Sequence, residues 1–242
     1  MKLRLFQKGF NYSQDGQGNR LVYHLQGCNM RCPWCSNPEG IGAFGPDCVE
    51  YEIEALVDEA LRSVPMFFDG GGVTLTGGEA TVQFEAVFQL LSRLTAVGIH
   101  TALETNGSHR RLDELFSLVD ELILDLKHYD SALHQAHVGM GNEQILCNIQ
   151  KAREMRNQLL VRIPLVNGFN ASEADMEGFI PLLRGLDFPG LSVELLPYHE
   201  FGRGKWETCG MPYEIENGFV SHSLVTAYKA KLRESGLRLR ET

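Results

Sequence analysis

No run in this 242-residue sequence approaches the roughly 20 consecutive apolar residues that a membrane-spanning helix needs. Gln14, Asp15, Asn19 and Arg20 interrupt the first thirty residues, where the apolar segment of a leader would lie. The chain is therefore expected to be cytoplasmic, with no membrane partner. Basic side chains are not in surplus either. Lys and Arg number 22 against 31 Asp and Glu, a formal net charge of −9, which disfavours a nucleic-acid target because such binding neutralises phosphates with Lys and Arg. Low-complexity tracts and internal repeats are missing, and 43% hydrophobic with 22% charged residues excludes disordered and fibrous classes. A disulfide framework is also lacking. Of six cysteines, Cys28, Cys32 and Cys35 lie close together, while Cys48, Cys147 and Cys209 are scattered and have no assigned role. Paired-cysteine scaffolds belong to short secreted chains.

What is present is alternation. Short apolar runs at Leu21–Leu25, Val73–Thr76, Ile99–Glu104, Leu122–Asp125, Leu160–Leu165 and Ser192–Leu196 read as strands of a parallel sheet covered on both faces. Helical stripes follow: Ile53, Leu56, Val57, Ala60; Phe84, Val87, Phe88, Leu91; Leu112, Leu115, Phe116, Val119; Ile145, Ile149, Ala152; Met176, Phe179, Ile180, Leu183; and Leu224, Val225, Tyr228, Leu232. Ser172 and Asp175 form a capping-box pattern ahead of the fifth stripe. Short joints and right-handed crossovers predict an α/β fold, a partial (β/α)6 barrel of the TIM type in one domain spanning 1–242. In such folds chemistry gathers on the loops after the strands. The polar clusters fall there: Gly27-Cys28, Gly77-Gly78-Glu79, Thr105-Asn106-Gly107, Asp125-Leu126-Lys127, Asn167-Gly168 and Tyr198-His199-Glu200.

The segment from Cys28 to Cys35 spells C-x3-C-x2-C. By spacing alone three readings stand level. It could be a zinc knuckle with His24 as a fourth ligand. Cys32-Pro33-Trp34-Cys35 could be a redox pair. Three thiolates could hold an iron-sulfur cluster and leave one iron open.

C-x3-C-x2-C with aromatic Trp34 before the third cysteine, followed by Gly77-Gly78-Glu79, resembles the radical S-adenosylmethionine superfamily. Gly71-Gly72-Val73-Thr74, Thr105-Asn106-Gly107, Asp125-Leu126-Lys127 and Leu195-Leu196-Pro197-Tyr198-His199-Glu200, with Gly202 and Lys205-Trp206, resemble its branch that activates glycyl-radical enzymes of the pyruvate formate-lyase kind. The resemblance runs from about residue 20 to residue 215. It implies an anaerobic oxidoreductase with one 4Fe-4S cluster held by Cys28, Cys32 and Cys35, S-adenosylmethionine as cofactor, a glycyl-radical enzyme as protein substrate, and flavodoxin or ferredoxin as electron donor. Gly77, Gly78 and Glu79 would meet the methionyl amino group and Lys127 its carboxylate. Asp125 and His199 would face the ribose and adenosine, Pro164 and Leu196 would frame the adenine, and Trp34 and Thr105 would also border the cofactor. Glu104, Thr105 and Asp125 stand where relatives have a monovalent-cation site, with Asp in place of Glu104. His24, His100, His109, His128, His134, His137 and His222 are read as structural.

Ser36-Asn37-Pro38-Glu39 resembles instead the activators of diol- and amine-type enzymes, yet the ferredoxin-like insert those carry is absent: Cys48 alone lies between Cys35 and Gly71. Two other functions compete, a radical enzyme acting on a small molecule and a zinc-bearing interaction protein. Anaerobic metal analysis separates the last: about four irons and four sulfides per chain are expected, and tightly bound zinc would refute the cluster.

Overall fold

The computed structural model describes residues 1–155 and 157–241. In chain order they form β1 (Lys2–Tyr12), β2 (Asn19–Leu25), β3 (Val49–Glu52), α1 (Ile53–Ser63), β4 (Gly72–Gly77), α2 (Phe84–Ala96), β5 (Thr101–Thr105) and β6 (Glu121–Asp125). Then follow α3 (Ser131–Val138), α4 (Glu143–Met155), β7 (Leu159–Leu165), α5 (Glu173–Leu186), β8 (Leu191–Pro197), α6 (Arg203–Thr208) and α7 (His222–Glu234). All eight strands join one sheet in the order β3-β1-β2-β4-β5-β6-β7-β8.

The six expected strands are β2 and β4 to β8, and they pair in parallel. The sheet curves without closing, a partial barrel. Two further strands extend it at one edge: β1 antiparallel to β2, and β3 antiparallel to β1. Neither carries a continuous apolar run. Lys2, Gln7, Gly9 and Phe10 of β1 are exposed, and Val-Glu-Tyr-Glu of β3 is mostly exposed, as one-sided antiparallel edges are. The third predicted helix is corrected to a 3-10 helix, Leu112–Leu118, with Val119 already extended. Few residues are available between the turn at Asn106-Gly107-Ser108 and β6, and the 3-10 pitch advances about 2.0 Å per residue against 1.5 Å for an α-helix. Helix α3 escapes periodicity because only His134 and Val138 are buried in it; Asp130 caps its start and Gly139, at φ 95°, its end.

Between the convex face of the sheet and the helices lies the apolar core, which includes Leu56, Val87, Leu90, Phe116, Ile149, Phe179 and Leu183. The concave side is different. Alternation along β5, β7 and β8 sends Glu104, Arg162 and Glu194 inward, where they pair with one another. The β1–β2 loop folds over this floor: Arg162 donates to the Gln14 carbonyl at 2.5 Å and Thr74 to the Asp15 carbonyl at 2.7 Å. Among the described residues no helix is long and apolar enough to cross a membrane.

The capping box at α5 is formed, Ser172 Oγ accepting from Asp175 N and Asp175 Oδ2 accepting from Ser172 N. Ser172→Ala should lower unfolding free energy by about 1 kcal/mol, measured by urea denaturation, with an unchanged m-value.

Candidate active site

The loops after the parallel strands converge on one cavity. Cys28, Cys32 and Cys35 line it, with Trp34 beside them. Gly77, Gly78 and Glu79 enter from the end of β4, Glu104 and Thr105 from β5, and Asp125 and Lys127 from β6. Pro164, Leu196 and His199 complete the opposite wall. Every site residue expected from the sequence therefore borders the same space. His24 does not line it.

The cysteine loop is held from both sides. Gly27 N and Cys28 N donate to the Gly40 and Ile41 carbonyls at 2.8 and 3.1 Å, and Glu79 N donates to the Gly27 carbonyl at 2.7 Å. A Cβ on Gly78 would overlap the Gly27 and Gly40 carbonyls, so only glycine lets β4 approach this closely. From the C-terminal side, Trp206 Nε1 donates to the Cys35 carbonyl at 2.8 Å, and Lys205 reaches Glu39 at 2.7 Å and Asn37 at 3.0 Å. Trp34 packs on Phe169, ring centroids 4.5 Å apart.

Burial pushes the Cys32 thiol up to about 12 and the Cys35 thiol up to about 11. Cys28 is also raised by burial, offset in part by the Met30 N–H. The metal-free state is thus a trio of neutral thiols, and binding iron replaces their protons with the positive charge that burial otherwise denies them. Among the described residues no three His, Cys, Asp or Glu converge closely enough for one metal ion. A cluster that takes one thiolate at each of three irons does not require that convergence, and the donor set fits it.

The Glu79 carboxylate, which borders the cavity, also has partners within the chain. Oε1 accepts from Thr81 N at 2.9 Å, Thr81 Oγ1 at 2.5 Å and Thr105 Oγ1 at 2.7 Å, and Oε2 from Asn106 N at 2.6 Å. Three of these bonds fall on Oε1 and one on Oε2, which keeps an acceptor position, and the residue is 1% exposed. It locks the β4 turn to the β5 turn. Asn106 Nδ2 then donates to Asn29 Oδ1 at 2.8 Å, carrying the lock to the cysteine loop.

Lys127 Nζ donates to Asp125 Oδ2 at 2.7 Å. Burial opposes its charge, but the Asp125 carboxylate beside it outweighs that and raises its pKa, so it stays an ammonium. The expected cation ligands border the same cavity, and each also has a partner within the chain. Glu104 is paired with Arg162 at 2.8 Å, Asp125 with Lys127, and the Thr105 hydroxyl donates to Glu79. Burial raises the Glu104 pKa to about 7 against the opposing pull of Arg162.

Sequence reasoning missed Asp15, Arg162, Glu194 and Asn170. The last is fully buried and donates to the Lys127 and Pro164 carbonyls, both at 2.7 Å, while accepting from Val166 N at 2.9 Å. A charged residue inside an otherwise apolar strand, as at Arg162 and Glu194, was the available signal; nothing local marked Asp15.

The sequence profile of the Radical SAM superfamily matches residues 22–180. The chain belongs to that superfamily. It is 34% identical over 212 residues to the pyruvate formate-lyase-activating enzyme of Staphylococcus epidermidis, covering 84% of each chain, and equally so to that of Staphylococcus aureus strain USA300. Within the superfamily it is a radical SAM activating enzyme of the oxidoreductase type, in the family of the pyruvate formate-lyase-activating enzymes. Its fold overlays a domain of such an enzyme from Bacteroides vulgatus with a TM-score of 0.59 at 29% identity, covering 71% of this chain and 98% of that one. A radical SAM methyltransferase from Sphaerobacter thermophilus shares the fold, with a TM-score of 0.69 at 18% identity, over 96% of this chain and 67% of the other.

Two measurements test the site. In metal-free protein near neutral pH, iodoacetamide should label Cys32 about a hundredfold more slowly than exposed Cys147. The Cys32 rate should climb with pH toward its thiol pKa; equal rates at neutral pH would contradict a buried neutral thiol. Glu79→Gln leaves buried donors unpaired and should cost about 2–3 kcal/mol in the cofactor-free protein. An unchanged urea midpoint would mean that the carboxylate serves only a ligand.

Proposed function

We propose that this chain cleaves S-adenosylmethionine reductively and generates a glycyl radical on a partner glycyl-radical enzyme of the pyruvate formate-lyase kind. The observation that carries this reading is the meeting of three unpaired cysteines, the glycine turn and Lys127 around one cavity. Support comes also from the identity to pyruvate formate-lyase-activating enzymes. When bound, the 4Fe-4S cluster would pass one electron, drawn from a flavodoxin or ferredoxin, to S-adenosylmethionine, breaking its sulfur–C5′ bond to release methionine and supplying the chemistry that moves one hydrogen atom from a glycine Cα of the partner to the 5′-deoxyadenosyl carbon.

The chain's own residues bind and orient. Cys28, Cys32 and Cys35 hold the cluster as thiolates. Lys127 spends one of its three N–H donors on Asp125 and has the others for the methionyl carboxylate. The methionyl ammonium would meet the Gly77-Gly78 turn and Glu79, whose Oε2 accepts only from Asn106 N within the chain. Pro164 and Leu196 flank the adenine, and His199 stands on the ribose side. His199 is stacked on Phe201, centroids 4.3 Å apart, and Phe201 is 84% exposed at the rim; this gives an entering partner loop an apolar contact. The cytoplasm, which keeps thiols reduced and holds low-potential electron carriers, suits the reaction.

With dithionite as reductant, the Cys28→Ala, Cys32→Ala, Cys35→Ala triple variant should form no 5′-deoxyadenosine. Product from that variant would overturn the proposal. Anaerobic mixing of the cluster-loaded protein with a pyruvate formate-lyase-type enzyme should produce an organic-radical doublet in electron paramagnetic resonance. Cleavage of S-adenosylmethionine with no doublet would point to a small-molecule substrate instead.

A further inference from the structure

Helix α6 packs back onto the turn that runs from Cys35 to Glu39, although the two segments are far apart in sequence. Gly202, just before α6, lies so close that a Cβ there would sit 2.7 Å from the Cys35 carbonyl oxygen and from Ser36 Cα, so glycine alone permits the approach. Trp206 Nε1 donates to the Cys35 carbonyl at 2.8 Å, and Lys205 Nζ donates to Asn37 Oδ1 at 3.0 Å. The Asn37 N–H in turn donates to Cys35 Sγ at 3.4 Å. Lys205 also pairs with Glu39 Oε1 at 2.7 Å, and among the described residues it is the one cation paired with that carboxylate. Glu39 Oε2 is buried and has no hydrogen-bond partner among the described residues, so its negative charge is balanced by Lys205 alone. Neither Lys205 nor Glu39 borders the cavity.

Reduction adds one negative charge to an iron-sulfur cluster, and the potential follows the charges and hydrogen bonds around its sulfurs. A cation or an N–H beside a ligand sulfur favours the reduced state, and an unbalanced carboxylate opposes it. Exposed charges are screened beyond a Debye length of about 8 Å at physiological ionic strength. The overall acidity of the chain therefore counts for less than a partly buried pair beside the cysteine loop. We infer that Lys205, by cancelling the Glu39 charge and holding the Asn37 N–H against Cys35 Sγ, raises the reduction potential of a cluster bound by Cys28, Cys32 and Cys35. Lys205 and Glu39 are positioning residues in this role, since they act through the Cys35 turn. The inference rests on the cluster reading above and gives a task to side chains outside the cavity.

The test is a redox titration of the cluster-loaded protein at fixed pH, without S-adenosylmethionine, followed by electron paramagnetic resonance of the reduced cluster. Lys205→Met leaves the Glu39 carboxylate unbalanced and should move the midpoint to a more negative potential. Glu39→Gln leaves the ammonium unbalanced and should move it the other way. Each shift should change the reduced-to-oxidised ratio at the parent midpoint by at least about threefold, about 28 mV for one electron. The double variant should fall between the two single ones. Shifts of the same sign, or smaller than that, would overturn the inference, because a merely loosened turn does not respond to the sign of the charge removed. Parent protein that takes up no iron and sulfide would overturn the cluster reading and this inference with it. A loaded parent whose variants do not move overturns the inference alone. Where Lys205→Met fails to retain its cluster, Glu39→Gln decides: a midpoint equal to the parent's or more negative removes the pair from the explanation.

Discussion

The arrangement of the site depends on one carboxylate. Glu79 lies just after β4, almost fully buried at the cavity wall, and its oxygens accept hydrogen bonds from Thr81, Thr105 and Asn106. A buried carboxylate is tolerable only when it is hydrogen-bonded. Meeting that need forces two strand-end turns into fixed relation. Because Glu79 N also donates to the Gly27 carbonyl, the same residue ties those turns to the cysteine loop. The glycines beside it follow from this closeness, since a side chain at residue 78 would collide with the backbone that carries Cys28.

A second layer of buried polarity supports the first. On the concave floor Arg162 is shared between Glu104 and Glu194, and nearer the cavity Asp125 balances Lys127. Asn170 fixes the backbone of Lys127 and of Pro164 together, so two walls of the cavity are tied to each other. An apolar floor would leave Lys127 and the thiols in a medium hostile to charge. The paired charges supply instead an environment in which thiolates bound to metal and a cationic sulfonium are both acceptable. The C-terminal segment adds the outer brace: Trp206 and Lys205 hold the far side of the cysteine loop, which accounts for a tryptophan and a lysine at positions that make no contact with the cavity.

Much of this was legible in the sequence. The six parallel strands read out as apolar runs because both faces of each are covered, and their loop motifs therefore marked the site. The edge strands β1 and β3 did not, since one face of each meets solvent and their residues mix charge with apolarity. The segment Leu112–Leu118 kept a helical stripe while adopting the tighter 3-10 path, because i, i+3 contacts bury the same residues in either form. Asp15 was invisible: its place in the cavity wall comes from a hairpin loop folding back over the floor, a contact distant in sequence.

By itself the sequence determined the cysteine spacing, the glycine turn, the strand-helix alternation and hence the superfamily, because these are local patterns whose chemistry depends on neighbours a few residues away. Only the tertiary structure decided what each charged group faces. It made Glu79 a clamp between two strand-end turns, and it paired Glu104 with Arg162. Those outcomes depend on register across four strands, and the energy of a buried charge is fixed by the few ångströms around it.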